Sequence, residues 1–358
     1  MKMLSWSFAF VLAACLSAAA AVDQGKTVGT VSIEMDDKLR TRHFVSELWF
    51  EAAPGAKVEK FSVRPPLRAI GIARNAEPVP GLGKRPLIVV SHGNWGSRYS
   101  QGWLAIRLVN AGYVVLSTSH PGTLGDDQSV VGRARLWDRS RDVSFALNDV
   151  FKHPKWSALV DESRIGFAGH SFGGWTGISL AGGRYDPARQ RTYCETSPKK
   201  DFYCDGTLKD DVSGVDMTDA TGSFKDVRLK AFYLMATGPG QGFSEESLKS
   251  LSVPFVVDTA ESDEILEAGA NSSALAKRIS AREIVRRAGH FAYVPECKWM
   301  IGPILAHAAG TPICDDPKGV DRALLHKQIA DDVVEFFNKH LASKPRVAGS
   351  SPAPHNPI

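Results

Sequence analysis

Positions 165–174 of the sequence read IGFAGHSFGG, an apolar run that leads straight into a glycine-rich turn around Ser171. Such a run is typical of a strand buried on both faces, and the small residues that continue to Leu180 are typical of a helix packed closely on a sheet. A serine between a strand and a helix of this kind projects its hydroxyl at the carboxyl edge of the sheet. The stretch therefore predicts a nucleophile elbow with Ser171 as the nucleophile.

Strand-like and helix-like segments alternate on both sides of this stretch. The strand-like segments lie at positions 28–33, 43–52, 87–90, 113–117, 229–235, 254–257 and 283–287, with a less regular extended stretch at 61–73. The helix-like segments lie at positions 101–110, 133–152, 244–250, 272–279 and 326–341. This alternation predicts an α/β fold in which a mostly parallel central sheet is covered by helices on both faces.

The composition is that of a globular protein. Of 358 residues, 43% are hydrophobic and 23% are charged, and 43 Lys and Arg oppose 39 Asp and Glu for a formal net charge of +4. These values exclude an intrinsically disordered chain, a collagen and a polytopic membrane protein. The small charge is spread without long basic runs, so it does not favour a nucleic-acid partner or binding to an anionic membrane.

The first residues are expected to lie outside the fold. A positive start, an apolar run at 4–16 and small residues at 18–21 predict a secretory signal peptide at 1–21. An alternative is a lipoprotein box at 12–15, in which Cys15 would carry the lipid and become the first residue. Either reading predicts an exported protein, periplasmic or secreted, without a stable membrane span.

The rest of the chain is expected to form one α/β domain and a tail. The domain spans 22–342, and the prolines and missing apolar pattern at 343–358 predict a disordered tail. Positions 184–226, between the helix after Ser171 and the next strand, form an insertion. It could cover the site as a lid, with aromatic side chains lining a pocket, or form a surface excursion with its own small cluster.

Four cysteines of the exported part form an even set. In an oxidising compartment such a set indicates disulfide bonds. The pairing of Cys194 with Cys204 and of Cys297 with Cys314 closes the shortest rings, within segments at 193–206 and 295–317 that read as loops. Four buried free thiols remain the alternative, and no Cys or His spacing indicates a zinc site.

A serine nucleophile needs a base, and in elbow-containing α/β folds that base follows later in the chain. His290 directly follows the last predicted strand, at 283–287, so a loop would deliver its imidazole to the same edge of the sheet as Ser171. His290 is therefore the predicted general base. His307, inside the predicted ring of Cys297 and Cys314, is the weaker alternative. His326 and His340 belong to the predicted C-terminal helix and are expected to be solvated.

The base in turn needs an orienting carboxylate, and three lie after the strand at 254–257. Asp263 is preferred because it stands several residues beyond the strand, in a polar turn that can reach back to His290. Asp258 adjoins the strand, where it can bond neighbouring backbone, and Glu261 is the third candidate. The predicted order of Ser, acid and His matches the order of this fold.

The developing oxyanion needs two converging backbone amides. One is predicted to be the N–H of Phe172, directly after the nucleophile, and the other the N–H of Asn94, in the glycine-containing loop after the strand at 87–90. His92 in that loop is expected to brace the turn by hydrogen bonding. Trp95 is expected to contact the substrate.

These motifs together support a family resemblance. Ser91-His92-Gly93, the elbow at 169–174 and Gly289-His290-Phe291 resemble the α/β-hydrolase fold, and specifically the bacterial dienelactone-hydrolase-like proteins related to the platelet-activating-factor acetylhydrolases. The resemblance runs from about residue 28 to residue 341. It implies a serine hydrolase acting on carboxylic esters, with a small-molecule or lipid ester as substrate and with no metal or organic cofactor.

Two departures from this family bear on the substrate. Acetylhydrolases of the group carry their acid after the strand that matches 229–235, whereas positions 235–238 hold no carboxylate here. Dienelactone hydrolases proper use a cysteine nucleophile, and this chain has Ser171. Short-chain acyl esters are the expected substrates, with acylated phospholipids and peptides or amides as alternatives, and a non-catalytic binding role is the competing class.

Overall fold

A computed structural model describes residues 25–197, 202–207 and 210–342. The predicted signal peptide at 1–21, the possible lipid attachment at Cys15 and the predicted tail at 343–358 lie outside the described residues. Within the described ranges, no helix is long and apolar enough to cross a membrane.

The centre of the fold is one mixed sheet, which contains ten strands within the described residues. In chain order these are β1 (Val28–Asp37), β2 (Arg42–Glu51), β3 (Glu59–Phe61), β4 (Ile70–Arg74), β5 (Arg85–Ser91), β6 (Val114–Thr118), β7 (Val160–His170), β8 (Leu229–Met235), β9 (Phe255–Ala260) and β10 (Arg282–Arg286). The spatial order is β10-β9-β8-β7-β5-β6-β2-β1-β4-β3. The six strands from β10 to β6 are parallel, whereas β2 joins β6 and β1 in antiparallel fashion. The prediction of a mostly parallel α/β sheet is confirmed.

Helices cover both faces of this sheet. Those in the described ranges are α1 (Gly102–Asn110), α2 (Val130–Ala134), α3 (Trp137–Lys152), α4 (Phe172–Ala181), α5 (Pro187–Thr196), α6 (Phe202–Thr207), α7 (Glu245–Lys249), α8 (Ser272–Arg278), α9 (Ile301–Ala308) and α10 (Arg322–His340). Residues of α3, α4, α7 and α8 belong to one hydrophobic core, and residues of α1 and α10 belong to the other.

Strand β5 shows how one apolar run serves both cores. Side chains alternate across a strand, so neighbouring residues face opposite sides of the sheet. Leu87 and Val89 pack in the core on the α3 and α4 side, and Ile88 and Val90 pack in the core on the α1 and α10 side. All four are buried. This two-sided burial explains why the run is continuously apolar rather than alternating.

The prediction of one helix over 133–152 is wrong, because the chain forms α2 and α3 instead. The chain leaves helical geometry at Arg135, with φ −100° and ψ 55°. Leu136 and Trp137, directly after the break, are 1% and 0% exposed and belong to the core on the α3 and α4 side.

Two segments that were predicted to be loops contain helices. Helix α9 lies inside the segment at 295–317, where Pro303 falls in the first helical turn, a position at which proline is tolerated. Helix α5 lies in the insertion and begins with Pro187 after the N-cap Asp186, whose side chain accepts a hydrogen bond from Ala188 N–H. This proline and aspartate are ordinary helix-start signals that the loop prediction overlooked.

Both predicted disulfide pairs are confirmed. Cys194 is bonded to Cys204 and Cys297 to Cys314, with Cα atoms 5.2 and 5.8 Å apart. The first bond links α5 to α6 within the insertion, and the second closes a ring that contains α9. Bonded cysteine pairs are typical of proteins that function in an oxidising compartment.

Candidate active site

Ser171 stands on a strained turn at the carboxyl edge of the sheet. Its backbone has φ 55° and ψ −117°, an unusual conformation for a residue with a side chain, and α4 begins directly after it. A Cβ on Gly169 would collide with the Gly173 carbonyl, and a Cβ on Gly173 would collide with the carbonyl of Ser91. The two flanking glycines are therefore required for this turn to pack against the end of β5.

The structure brings Ser171, His290 and Asp263 into one hydrogen-bonded chain. The Ser171 hydroxyl donates to His290 Nε2 over 3.0 Å, and His290 Nδ1–H donates to Asp263 Oδ2 over 2.8 Å. Ser171 follows the end of β7, Asp263 the end of β9 and His290 the end of β10. Because these strands are parallel, all three residues lie at the same edge of the sheet. Asp263 orients the imidazole of His290 through Nδ1, while Nε2 faces the Ser171 hydroxyl.

Asp263 is fixed by the turn that follows it. Its Oδ1 accepts hydrogen bonds from the backbone N–H groups of Ile265 and Leu266 over 2.9 and 2.7 Å, which leaves Oδ2 for His290. The carboxylate is 2% exposed. His290 is held from the other side, because the Nε2–H of the buried His170 donates to its carbonyl oxygen over 3.0 Å.

The electrostatic surroundings of His290 favour its protonated form. Burial alone would lower its pKa, but the charge and hydrogen bond of Asp263, with a further contribution from the charge of Glu264, raise the pKa of His290 above its ordinary value. A histidine with a raised pKa is a stronger base once it has lost its proton.

Glu264 is a residue of this site that the sequence prediction missed. Its Oε2 accepts a hydrogen bond from the backbone N–H of His290 over 2.9 Å. A Cβ on Gly289 would lie 2.7 Å from the same oxygen, so the glycine makes room for this contact. Its place directly after Asp263 was the only available signal, and one further acidic residue in a polar turn carries little information.

The alternative candidate acids do not reach the imidazole. Asp258 is fully buried, and its carboxylate accepts hydrogen bonds from Tyr233, Tyr293 and Arg286, so it belongs to a structural network. Its expected bonding to neighbouring backbone was wrong, because all of these partners are side chains. Glu261 is exposed at the start of the turn.

The other histidines take no part in this arrangement. His307 is exposed on α9. His326 was predicted to be solvated, and this is wrong, because the side chain is buried, stacks on Trp103 at 3.8 Å and bonds to the carbonyl of Ala292. Burial lowers the pKa of His326 to about 4, which keeps it neutral.

The loop after β5 lies directly beside the elbow. Ser91 pairs with Gly169 across the two strands, and a Cβ on Gly93 would approach the Ser171 Cβ to 3.0 Å. Phe172 is the first residue of α4, so its N–H has no partner within the helix. Within the described ranges, neither the Asn94 N–H nor the Phe172 N–H forms a hydrogen bond. Both amides are therefore available to an oxyanion.

His92 braces this loop as predicted. Its Nδ1–H donates to the carbonyl of Gly93 over 2.6 Å, and its Nε2 accepts from the backbone N–H of His120 over 3.2 Å. Burial, together with the nearby charge of Arg139, lowers the pKa of His92 well below its ordinary value. The neutral ring thus serves as one donor and one acceptor.

Trp95 and the insertion border the site. Trp95 is 51% exposed and adopts a left-handed backbone conformation with φ 61°, which is unusual for a bulky residue. From the insertion, the Tyr203 ring packs edge-on against the Phe172 ring at 6.0 Å. Tyr193 is partly buried on α5, and the side chain of Phe202 lies outside the described part. The insertion therefore reaches the residue next to the nucleophile.

Comparison with solved structures identifies the fold. A ferulic acid esterase from Streptomyces cinnamoneus is similar with a TM-score of 0.55 and 18% sequence identity, over 93% of this chain and 96% of that one. The chain has an α/β-hydrolase-like fold. A puromycin-hydrolyzing peptidase from Mycobacterium tuberculosis is similar with a TM-score of 0.49 and 11% identity, over 88% of this chain and 40% of that one. No protein-family model and no curated protein sequence matches the chain.

In α/β folds, ligands bind outside the carboxyl ends of the parallel strands. In this α/β-hydrolase-like fold the segments directly after β5, β7, β9 and β10 supply Asn94, Ser171, Asp263 and His290. The candidate site therefore occupies the expected edge of the sheet.

Proposed function

We propose that this protein is a serine hydrolase that cleaves carboxylic esters through an acyl-enzyme, and that it prefers short acyl groups. The observation that carries the proposal is the hydrogen-bonded chain from Ser171 through His290 to Asp263. Kinship with the dienelactone-hydrolase-like and acetylhydrolase-like serine esterases is part of the proposal. The esterase activity named for the Streptomyces cinnamoneus protein is compatible with it.

The first half of the reaction forms the acyl-enzyme. His290 Nε2 takes the hydroxyl proton while Ser171 Oγ attacks the carbonyl carbon, and the carbonyl electrons move to the oxygen. Asp263 stabilises the resulting imidazolium through Nδ1–H. His290 then gives the proton to the leaving alkoxide, the ester C–O bond breaks and an alcohol departs.

The second half repeats these steps with water. His290 takes a proton from water as the water oxygen attacks the acyl carbon, and the proton then passes to Ser171 Oγ as the acyl bond breaks. A carboxylic acid leaves and the enzyme is restored. In both halves the N–H groups of Phe172 and Asn94 are proposed to stabilise the oxyanion.

The preference for short acyl groups follows from what surrounds the nucleophile. Tyr203 lies against Phe172, and α5 and α6 are joined by the bond between Cys194 and Cys204. A methylene that fits a pocket gains about 0.8 kcal/mol, whereas one that meets a closed wall must displace packed side chains. We propose that the insertion supplies this wall and that Trp95 contacts the acyl or alcohol part.

A panel of aryl esters tests the substrate class. We expect kcat/KM to be highest for short acyl chains and to fall toward sixteen carbons, with an acetylated ether phospholipid and a peptide amide assayed beside the esters. Covalent labelling of Ser171 by an organophosphonate, located by peptide mapping, tests the nucleophile in the same preparation. A steady rise toward the longest chain would contradict the short pocket, and comparable cleavage of the amide would favour a peptidase.

The role of Glu264 yields a pH prediction. Below its pKa, His290 carries a proton and cannot act as a base, so activity falls on the acidic side. Glu264→Gln removes a negative charge that helps to raise the pKa of His290, yet the amide oxygen can still accept the His290 N–H. We expect the acidic limb of kcat/KM to move to lower pH, measured over a buffer series.

The exposed Glu261 provides the control for this measurement. Glu261→Gln removes the same charge three positions away, outside contact with His290, and should leave the acidic limb in place. Equal profiles for the Glu264→Gln and unaltered proteins would show that Glu264 does not tune the base.

Export is the remaining part of the proposal. Two bonded cysteine pairs, together with the leader-like sequence at 1–21, support a periplasmic or secreted enzyme. Cleavage after residue 21 or lipidation of Cys15 can be distinguished by the mass of the mature N-terminal peptide.

A further inference from the structure

Arg139 on α3 is buried behind the candidate site and has no role in the steps above. It is 1% exposed, yet within the described residues no carboxylate forms an ion pair with its guanidinium. The nearby Asp142 is engaged by Arg40, Arg42 and His120 instead. Burying a cation without a paired anion is costly, so a compensating benefit is expected.

The Arg139 guanidinium contacts the end of β5 and the start of the loop that follows it. It donates to the carbonyl oxygen of His92 and, over 3.3 Å, to Ser91 Oγ. The Ser91 hydroxyl donates in turn to His120 Nε2 over 3.0 Å. These contacts fix the backbone immediately before Gly93 and Asn94.

The same guanidinium also reaches the elbow helix. Its Nε donates to Thr176 Oγ1 over 3.1 Å, and the Thr176 hydroxyl donates to the carbonyl of Phe172 over 2.8 Å. The guanidinium carbon lies 6.0 Å from the centre of the Phe172 ring. One side chain therefore connects the two segments that carry Asn94 and Phe172.

We propose that Arg139 is a positioning residue of the oxyanion hole, which holds both donor segments in register and places a positive charge behind them. The inference rests on the proposed hydrolase function. A developing oxyanion supplies the anion that Arg139 lacks in the resting protein, so its effect should be larger in the transition state than in the substrate complex. The planar, multiply donating guanidinium suits this task better than an ammonium group.

The test compares kcat, KM and affinity for a transition-state analogue. Arg139→Met keeps most of the volume but removes the charge and the donors. We expect kcat to fall by about 10- to 100-fold, less than the about 10²–10³-fold that loss of a direct oxyanion donor costs, with KM little changed. The inhibition constant of an arylboronic acid, whose tetrahedral adduct with Ser171 resembles the intermediate, should rise by a similar factor.

Arg139→Lys and a pair of threonine variants separate positioning from general stability. Arg139→Lys keeps the positive charge but not the planar group with several donors, so its kcat should lie between that of the Arg139→Met protein and that of the unaltered protein. Thr176→Val breaks the link to Phe172, whereas Thr123→Val removes another fully buried hydroxyl, to which Arg139 Nη1 donates over 2.6 Å. Thr176→Val should lower kcat with KM little changed, and Thr123→Val should keep kcat close to that of the unaltered protein.

Two further measurements make the result decisive. Arg141→Gln, on the outer side of the same helix, is the charge control and should leave kcat unchanged. The acidic limb of the pH profile should stay in place in the Arg139 and Thr176 proteins, because neither residue contacts His290 or Asp263. If Arg139→Met does not fold, the threonine pair still decides the question.

Failure of this inference differs from failure of the proposed function. A Ser171→Ala protein that keeps esterase activity would overturn both. If Ser171→Ala is inactive but Thr176→Val lowers kcat no more than Thr123→Val does, Arg139 is a structural residue only. An unchanged boronic acid affinity in a folded Arg139→Met protein leads to the same conclusion.

Discussion

Replacing Ser171 with alanine is expected to lower kcat by about 10⁴-fold or more, and His290→Ala should cost about as much, because nucleophile and base act as a unit. Alanine at 171 has no oxygen to attack with, and without His290 the serine proton has no acceptor at 3.0 Å. The measurement is kcat for a short-chain aryl ester, with each protein shown to be folded by its thermal unfolding.

The double replacement is a further check. Because the two residues act in the same step, their effects on kcat should not multiply. The protein that lacks both should have a kcat close to that of either single variant, not one lower by another factor of about 10⁴. Normal activity in the Ser171→Ala protein would overturn the assignment of the site.

Asp263→Asn is expected to lower kcat by about 10⁴-fold, through the wrong tautomer of His290. Asp263 Oδ1 accepts two backbone N–H groups, so the oxygen of an asparagine would occupy that position and its NH₂ would face His290. His290 Nδ1 would then have to accept a hydrogen bond, which puts the ring proton on Nε2. A protonated Nε2 cannot take the proton of Ser171.

Asp258→Asn is the matched control for this prediction. Each Asp258 oxygen accepts from donors, the hydroxyls of Tyr233 and Tyr293 and the guanidinium of Arg286, so an NH₂ at either position would face a donor. We expect a loss of about 3 kcal/mol in the free energy of unfolding, because a buried pair is broken, with kcat of the folded protein largely kept. The opposite ranking of the two variants would move the triad acid to Asp258.

The central sheet was the part of the fold that sequence patterns could predict. Strand β8 has the predicted bounds, because its last five residues form a continuous buried run of the kind that a strand covered on both faces shows. The order of Ser171, Asp263 and His290 was also predictable, since parallel strands bring their carboxyl ends to one edge. The distances between these side chains depend on packing and could not be predicted.

The remaining errors concern contacts between residues far apart in the chain. His326 was expected to be solvated, but Trp103 stacks on its ring and the carbonyl of Ala292 bonds to it. The break at Arg135 is a change in backbone geometry that periodicity within 133–152 does not reveal. The sequence patterns did not single out Arg139, because its acceptors come from three other segments.

The spacing of the site residues also has a consequence during synthesis. Ser171 and His290 are 119 positions apart, so the nucleophile emerges from the ribosome long before its base. A chain that ends before residue 290 lacks the histidine that is proposed to activate Ser171. If the proposed chemistry is right, unfinished or truncated chains are harmless to the esters of the cell that makes them, and reactivity appears only when translation is almost complete.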